Sequence, residues 1–151
     1  MGGDAAALMA AAGLAPPWRR ALVVFTDSRR VWWLRGLRPG FRHCLVILES
    51  ARTCVVLDPL LQGVEVRLLP SPGLPELLVR LKAEGATVVS CRPCRPMPRM
   101  VPPRPFTCVE LVKRVLGMRA PWVLTPWQLH CRIRSLEKEK NLLTRRSSGC
   151  T

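Results

Sequence analysis

The apolar residues in the first half of this chain fall in short runs separated by turn formers. Runs of that length between Gly, Pro, Asp and Ser read as strands rather than helices. Residues 21–25, Ala-Leu-Val-Val-Phe, form one buried strand, and Asp27 to Arg30 break it. Residues 31–34 are a second short strand or an aromatic-rich loop edge, and Gly36 to Gly40, with Pro39, is a turn. Residues 41–49 and 53–58, rich in Val, Ile, Leu and Cys, make a hairpin around Glu49-Ser50-Ala51-Arg52. Residues 64–69 alternate apolar and polar, as a half-buried strand does. Leu77, Leu78 and Leu81 set a helix over 75–84 that Gly85 ends, and 86–90 is a further strand. Residues 91–105 hold six prolines and can only connect. The pattern is α+β: a small antiparallel sheet with helices packed on it.

At 151 residues the chain is long enough for one domain with a real core. The domain is expected over 18–134. The alanine-rich residues 1–17 read as a flexible lead or a short helix, and the charged residues 135–151 as a frayed helix or a disordered tail. No apolar run reaches the roughly 18 residues that cross a bilayer. The start lacks a basic secretory region, so a reducing compartment is expected for the seven cysteines. The net charge is +14, from 24 Lys and Arg against 10 Asp and Glu. Such a surface attracts phosphates, acidic polymers or acidic partners, nucleic acid among them.

The stretch Pro105-Phe106-Thr107-Cys108-Val109-Glu110-Leu111-Val112 reads as a helix start. Thr107 and Glu110 have capping-box spacing, which puts Cys108 at the first helical position. There it meets unpaired backbone N–H groups and the positive end of the helix dipole, an environment that lowers a thiol's pKa. Leu111, Val112, Val115 and Leu116 place the same helix face toward the core. Cys108 is therefore either a nucleophile or one more small buried residue, and spacing alone weighs the two equally.

A nucleophilic cysteine needs a base, and the chain has two histidines. If Ser50 and Ala51 form the hairpin turn, Glu49 faces Arg52 and His43 lies directly opposite Asp58. Opposed residues share a face with Cβ atoms about 5 Å apart. A carboxylate there would orient the imidazole and stabilise its charged form. His130, on a helix opened by Thr125-Pro126-Trp127-Gln128, reads as a surface or helix-packing residue, but it is the rival partner.

Other signals are weaker. Cys91-Arg92-Pro93-Cys94 is at most half a zinc site, and reads as a structural loop pair. Cys44 and Cys54 read as core residues. Tryptophans 18, 32, 33, 122 and 127 stand among arginines, as base-stacking platforms do, yet no nucleic-acid motif accompanies them.

The order of elements, a histidine strand, a following strand with an acid, then a cysteine at a helix start, resembles the circularly permuted papain-like thiol hydrolases. These include permuted NlpC-like peptidases and amidases and lecithin:retinol acyltransferase-like enzymes. Phe41-Arg42-His43-Cys44-Leu45-Val46-Ile47 and Phe106-Thr107-Cys108-Val109-Glu110-Leu111-Val112 carry the resemblance, which spans roughly residues 20–118. The stretch 120–127, Ala-Pro-Trp-Val-Leu-Thr-Pro-Trp, adds a likeness to small prophage-encoded proteins. The resemblance implies Cys108 as nucleophile, His43 as general base and Asp58 as orienter. It also implies amide, peptide or ester acyl transfer without a cofactor, and a cytoplasmic or phage-particle setting. Wall peptides are that family's commonest target, with lipids and esters in its acyltransferase branch. The Gly-Asp that often opens the family's first strand is absent before residue 21. An inactive relative, acting as a basic structural or binding protein such as a phage particle component, is the alternative.

Overall fold

The computed structural model describes residues 18–27, 35–60, 62–92 and 107–147, with side chains to residue 141. The expected lead (1–17), the segment 31–34 with Trp32 and Trp33, the proline-rich connection beyond Arg92 with Cys94, and the last residues of the chain lie outside the described residues.

Five strands form one antiparallel sheet: β1 (Arg20–Thr26), β2 (His43–Glu49), β3 (Thr53–Leu60), β4 (Gly63–Pro70) and β5 (Thr87–Cys91). Their order across the sheet is β4-β3-β2-β1-β5. Three helices complete the fold: α1 (Leu74–Ala83), α2 (Cys108–Val115) and α3 (Pro126–Ser147). The architecture is α+β, as the sequence pattern requires.

β1 lies between β2 and β5, and Ala21 to Phe25 are buried on both faces. This is why its sequence is continuously apolar instead of alternating. On one face Leu22, Val24, Ile47, Cys54 and Val56 pack against Leu74 of α1, with Leu77, Leu78 and Leu81 at the margin. On the other, Ala21, Val23, Phe25, Cys44, Val46 and Leu48 pack under Val109, Val112, Leu116, Leu129 and Ile133 of α2, its C-terminal turn and α3. The sheet is thus sandwiched, with α1 alone on one side and α2 and α3 on the other.

The alternation in β4 predicts a strand correctly but not its burial. Val66 and Leu68 pair with Leu57 and Val55, yet are 58% and 70% exposed. α2 packs mainly over β2 and β3.

α3 runs to Ser147, well past Arg134, where the sequence reading ended it. Its start is a full capping box: Gln128 N–H donates to Thr125 Oγ1 at 3.3 Å, and Thr125 N–H donates to Gln128 Oε1 at 3.1 Å. The α2 start is half of one. Glu110 N–H donates to Thr107 Oγ1 at 3.2 Å, but the Glu110 side chain turns inward to Lys113, 2.9 Å away, and Arg114, 3.1 Å away.

Candidate active site

His43 opens β2, and Asp58 stands near the end of β3. The hairpin register differs from the expected one. Glu49 pairs with Cys54 and Val46 with Leu57, and Ser50 N–H donates to Thr53 O at 2.9 Å. The turn is Ala51-Arg52, one residue later than the sequence reading placed it. Moving a two-residue turn by one position shifts the pairing by two, so every side chain keeps its face. Asp58 is therefore diagonal to His43 and not directly opposite. The diagonal is still within reach of a histidine side chain, and His43 Nε2 lies 2.7 Å from Asp58 Oδ1.

The approach to His43 is also pinned. Asp27, just after β1, accepts from Arg42 Nη1 at 2.8 Å and from Gly40 N–H at 3.2 Å. Gly40 has φ +80°, a left-handed turn conformation that favours glycine. Thr26 pairs with His43 across the β1–β2 ladder, so the imidazole rises from an end of β2 that is paired with β1, beyond the last residue paired with β3.

α2 brings Cys108 over the N-terminal end of β2. The thiol is half-buried and packs at the margin of the cluster under Val109 and Val112. The buried face of α2 is Val109, Val112 and Leu116, rotated one residue from the face expected from the spacing. Leu111 and Val115 are consequently only half-buried. That rotation leaves Cys108 at the rim of the core, where a reagent can reach it.

The side-chain hydrogen bond with Cys44, the hydrogen bond with His43 and a bond from the Cys44 backbone hold the Cys108 thiol down to about 5, against the opposing effect of its burial. For His43, burial acts to lower the pKa, but the bonds to Cys108 and Asp58 outweigh it and raise the imidazole above 6.5. Asp58 engages Nε2, so Nδ1 is the ring nitrogen that the acid leaves free. A thiolate–imidazolium pair with a carboxylate behind the ring is the state these opposite shifts describe. The Cys108 and Val109 N–H groups, at the first two positions of α2, have no intrahelical acceptor. They are the oxyanion donors available beside the sulfur.

Cys44 is the participant that sequence reading missed. It was read as core, and it is fully buried, but its thiol also faces Cys108. Burial and the neighbouring Cys108 push the Cys44 thiol well above 9.0, so it stays protonated and can donate. Adjacency to His43 on the strand was the only signal available.

His130 is placed elsewhere. It stacks on Trp127 with ring centroids 5.4 Å apart and meets Phe25 edge-on and Phe41 at a tilt. Burial and the cations Arg134 and Arg38 lower its pKa. It is a packing residue of α3. Trp127 carries Arg38 over its ring at 3.6 Å, whereas Trp122 is 64% exposed. Among the described residues, no group of three His, Cys, Asp or Glu side chains is arranged to hold a metal ion. No helix among them is long and apolar enough to cross a membrane.

Comparison with family models, with curated proteins and with solved structures finds no match to this chain.

Proposed function

We propose that this protein is a cysteine-dependent acyl-transfer enzyme, a hydrolase of amides, peptides or esters, with Cys108, His43 and Asp58 as its catalytic residues. The supporting observation is the His43 ring, with Nε2 2.7 Å from Asp58 Oδ1, interacting also with a Cys108 thiol of depressed pKa. In this reading the topology belongs with the permuted papain-like thiol hydrolases.

The resting pair reacts as follows. The Cys108 thiolate attacks the carbonyl carbon, and the developing oxyanion accepts from the N–H groups at the start of α2. His43 gives its Nδ1 proton to the departing amine or alcohol, leaving a Cys108 thioester. Neutral His43 then takes a proton from water, the hydroxide attacks the thioester, and the thiolate is expelled beside a regenerated imidazolium. Asp58 keeps the ring aligned through both half-reactions and stabilises its charged form.

The test is turnover of a small panel of chromogenic esters and amino-acid anilides by the purified chain and by Cys108→Ala, His43→Ala and Asp58→Asn. The reading expects turnover that is abolished in the first two variants and falls at least tenfold in the third. Turnover unaffected by Cys108→Ala refutes it. The net charge of +14 favours a second reading, a basic binding protein with the same fold. Steep salt dependence of acidic-partner binding, unchanged in Cys108→Ala, together with no turnover, favours that one.

A further inference from the structure

A second feature lies at the opposite end of α2 from Cys108. A cleft of about 260 Å³ opens between the end of β5, the turn after α2 and the middle of α3. Leu116, Met118, Ile133 and Leu136 give it an apolar floor. Arg92, Arg119, Arg132 and Lys140 surround that floor, with Glu137 as the single carboxylate. Glu137 is already engaged with Lys140, 3.9 Å away. Arg92, Arg119 and Arg132 make no ion pair among the described residues.

The three arginines that line one cleft, Arg92, Arg119 and Arg132, carry the argument, and Arg132 is the partly buried one. Its Nε is buried beneath neighbouring atoms and, like Arg42 Nε, has no hydrogen-bond partner among the described residues. Guanidinium groups bind oxyanions through paired N–H donors, and three of them suit a dianion with three terminal oxygens better than a carboxylate. The volume is just below the usual range for small-molecule pockets, so the ligand is small.

We propose that this cleft binds the phosphoryl group of a small molecule, with the apolar floor taking a short hydrocarbon body. The assignment does not depend on Cys108 chemistry, because none of the cleft residues belongs to that site.

The experiment is isothermal titration of the full chain with butyl phosphate, inorganic phosphate and butanol at fixed ionic strength. The wild type is compared with Arg119→Ala, Arg132→Met and Arg67→Ala. Arg119 is exposed, and Met preserves the apolar stem at 132, so folding is retained and is checked by circular dichroism. The expected result is saturable binding of butyl phosphate that weakens about tenfold in each of the two cleft variants. It should be unchanged in Arg67→Ala on the distant edge strand. Tighter binding of the ester than of inorganic phosphate assigns a phosphate monoester; equal binding assigns free phosphate. Absence of saturable binding, butanol binding as well as its phosphate, or equal loss in all three arginine variants overturns the proposal.

Discussion

A thiol held at about 5 has a distinctive pH profile, which can be worked out before any substrate is known. At pH 6 such a thiol is roughly 90% thiolate, while one at the ordinary 9.0 is about 0.1% ionised, a ratio of roughly 900. Intrinsic nucleophilicity falls with basicity, with a Brønsted slope of about 0.45 for attack on disulfides, so four units take back roughly sixtyfold. Against a small-molecule thiol of ordinary pKa, Cys108 should thus react with dipyridyl disulfide about 15-fold faster at pH 6. At pH 7 the two should be nearly equal, and at pH 8 Cys108 should be the slower. Partial burial scales the Cys108 rate equally at every pH, so it lowers these ratios together and leaves the shape of the profile intact. The assay follows release of thiopyridone from pH 4.5 to 9, with the labelled peptide identified by mass spectrometry. The account expects a rate that rises through a midpoint near 5 and is flat from 6 to 9. A Cys108 rate that climbs tenfold per unit between pH 6 and 8 would show an ordinary thiol and refute the reasoning.

Other consequences are equally open to measurement. Cys44→Ala, which removes a donor to the sulfur, should move that midpoint upward, whereas Cys44→Ser, which keeps a donor, should leave it near 5; His43→Ala should also raise it. Lys113→Met should destabilise the chain by about 3 kcal/mol, lowering the melting temperature by roughly 10 °C, because it leaves the buried Glu110 carboxylate with Arg114 as its one remaining cation and frees the Ala120 and Val123 carbonyls that Lys113 Nζ serves at 3.2 and 3.1 Å. Burial pushes the Glu110 carboxyl up, but Lys113 and Arg114 more than offset it, so its folded pKa is depressed below 4.5. Its contribution to stability is therefore complete above about pH 5 and lost as pH falls through the folded value, and denaturant midpoints in acid should lose that slope in Glu110→Gln. Phe25→Ala, in the core between Phe41 and His130, should cost about 3–5 kcal/mol by chemical denaturation.

Much of the fold was legible because its elements obey simple periods. The all-apolar run at 21–25 marked a strand covered on both faces, and the alternation along the hairpin fixed which residues share a side. The histidine and the acid therefore met even though the turn fell one residue later than Ser50-Ala51, since that displacement preserves parity. Capping patterns at Thr107 and Thr125 located two helix starts to the residue. The remainder depended on tertiary contacts that carry no local signal. Glu110 read as a capping residue and nothing singled out Lys113, yet they neutralise one another inside the fold and tether the loop after α2. The charged residues after Arg134 read as a frayed helix or a disordered tail with nothing local to choose between them, and through Ser147 they extend α3. Cys44 read as a core thiol because a sequence shows burial of a residue type, not which neighbour it faces.

The central claim is that Cys108 carries an acyl group that His43 then helps to remove. Intact-mass and peptide analysis after rapid mixing with an activated acetate ester tests it directly. The account predicts an acetyl thioester on the Cys108 peptide that forms within the burst and decays with turnover. In His43→Ala the adduct should persist, and in Cys108→Ala it should be absent. An adduct spread over several cysteines, or one on Cys108 that decays no faster in the wild type than in His43→Ala, would contradict the account.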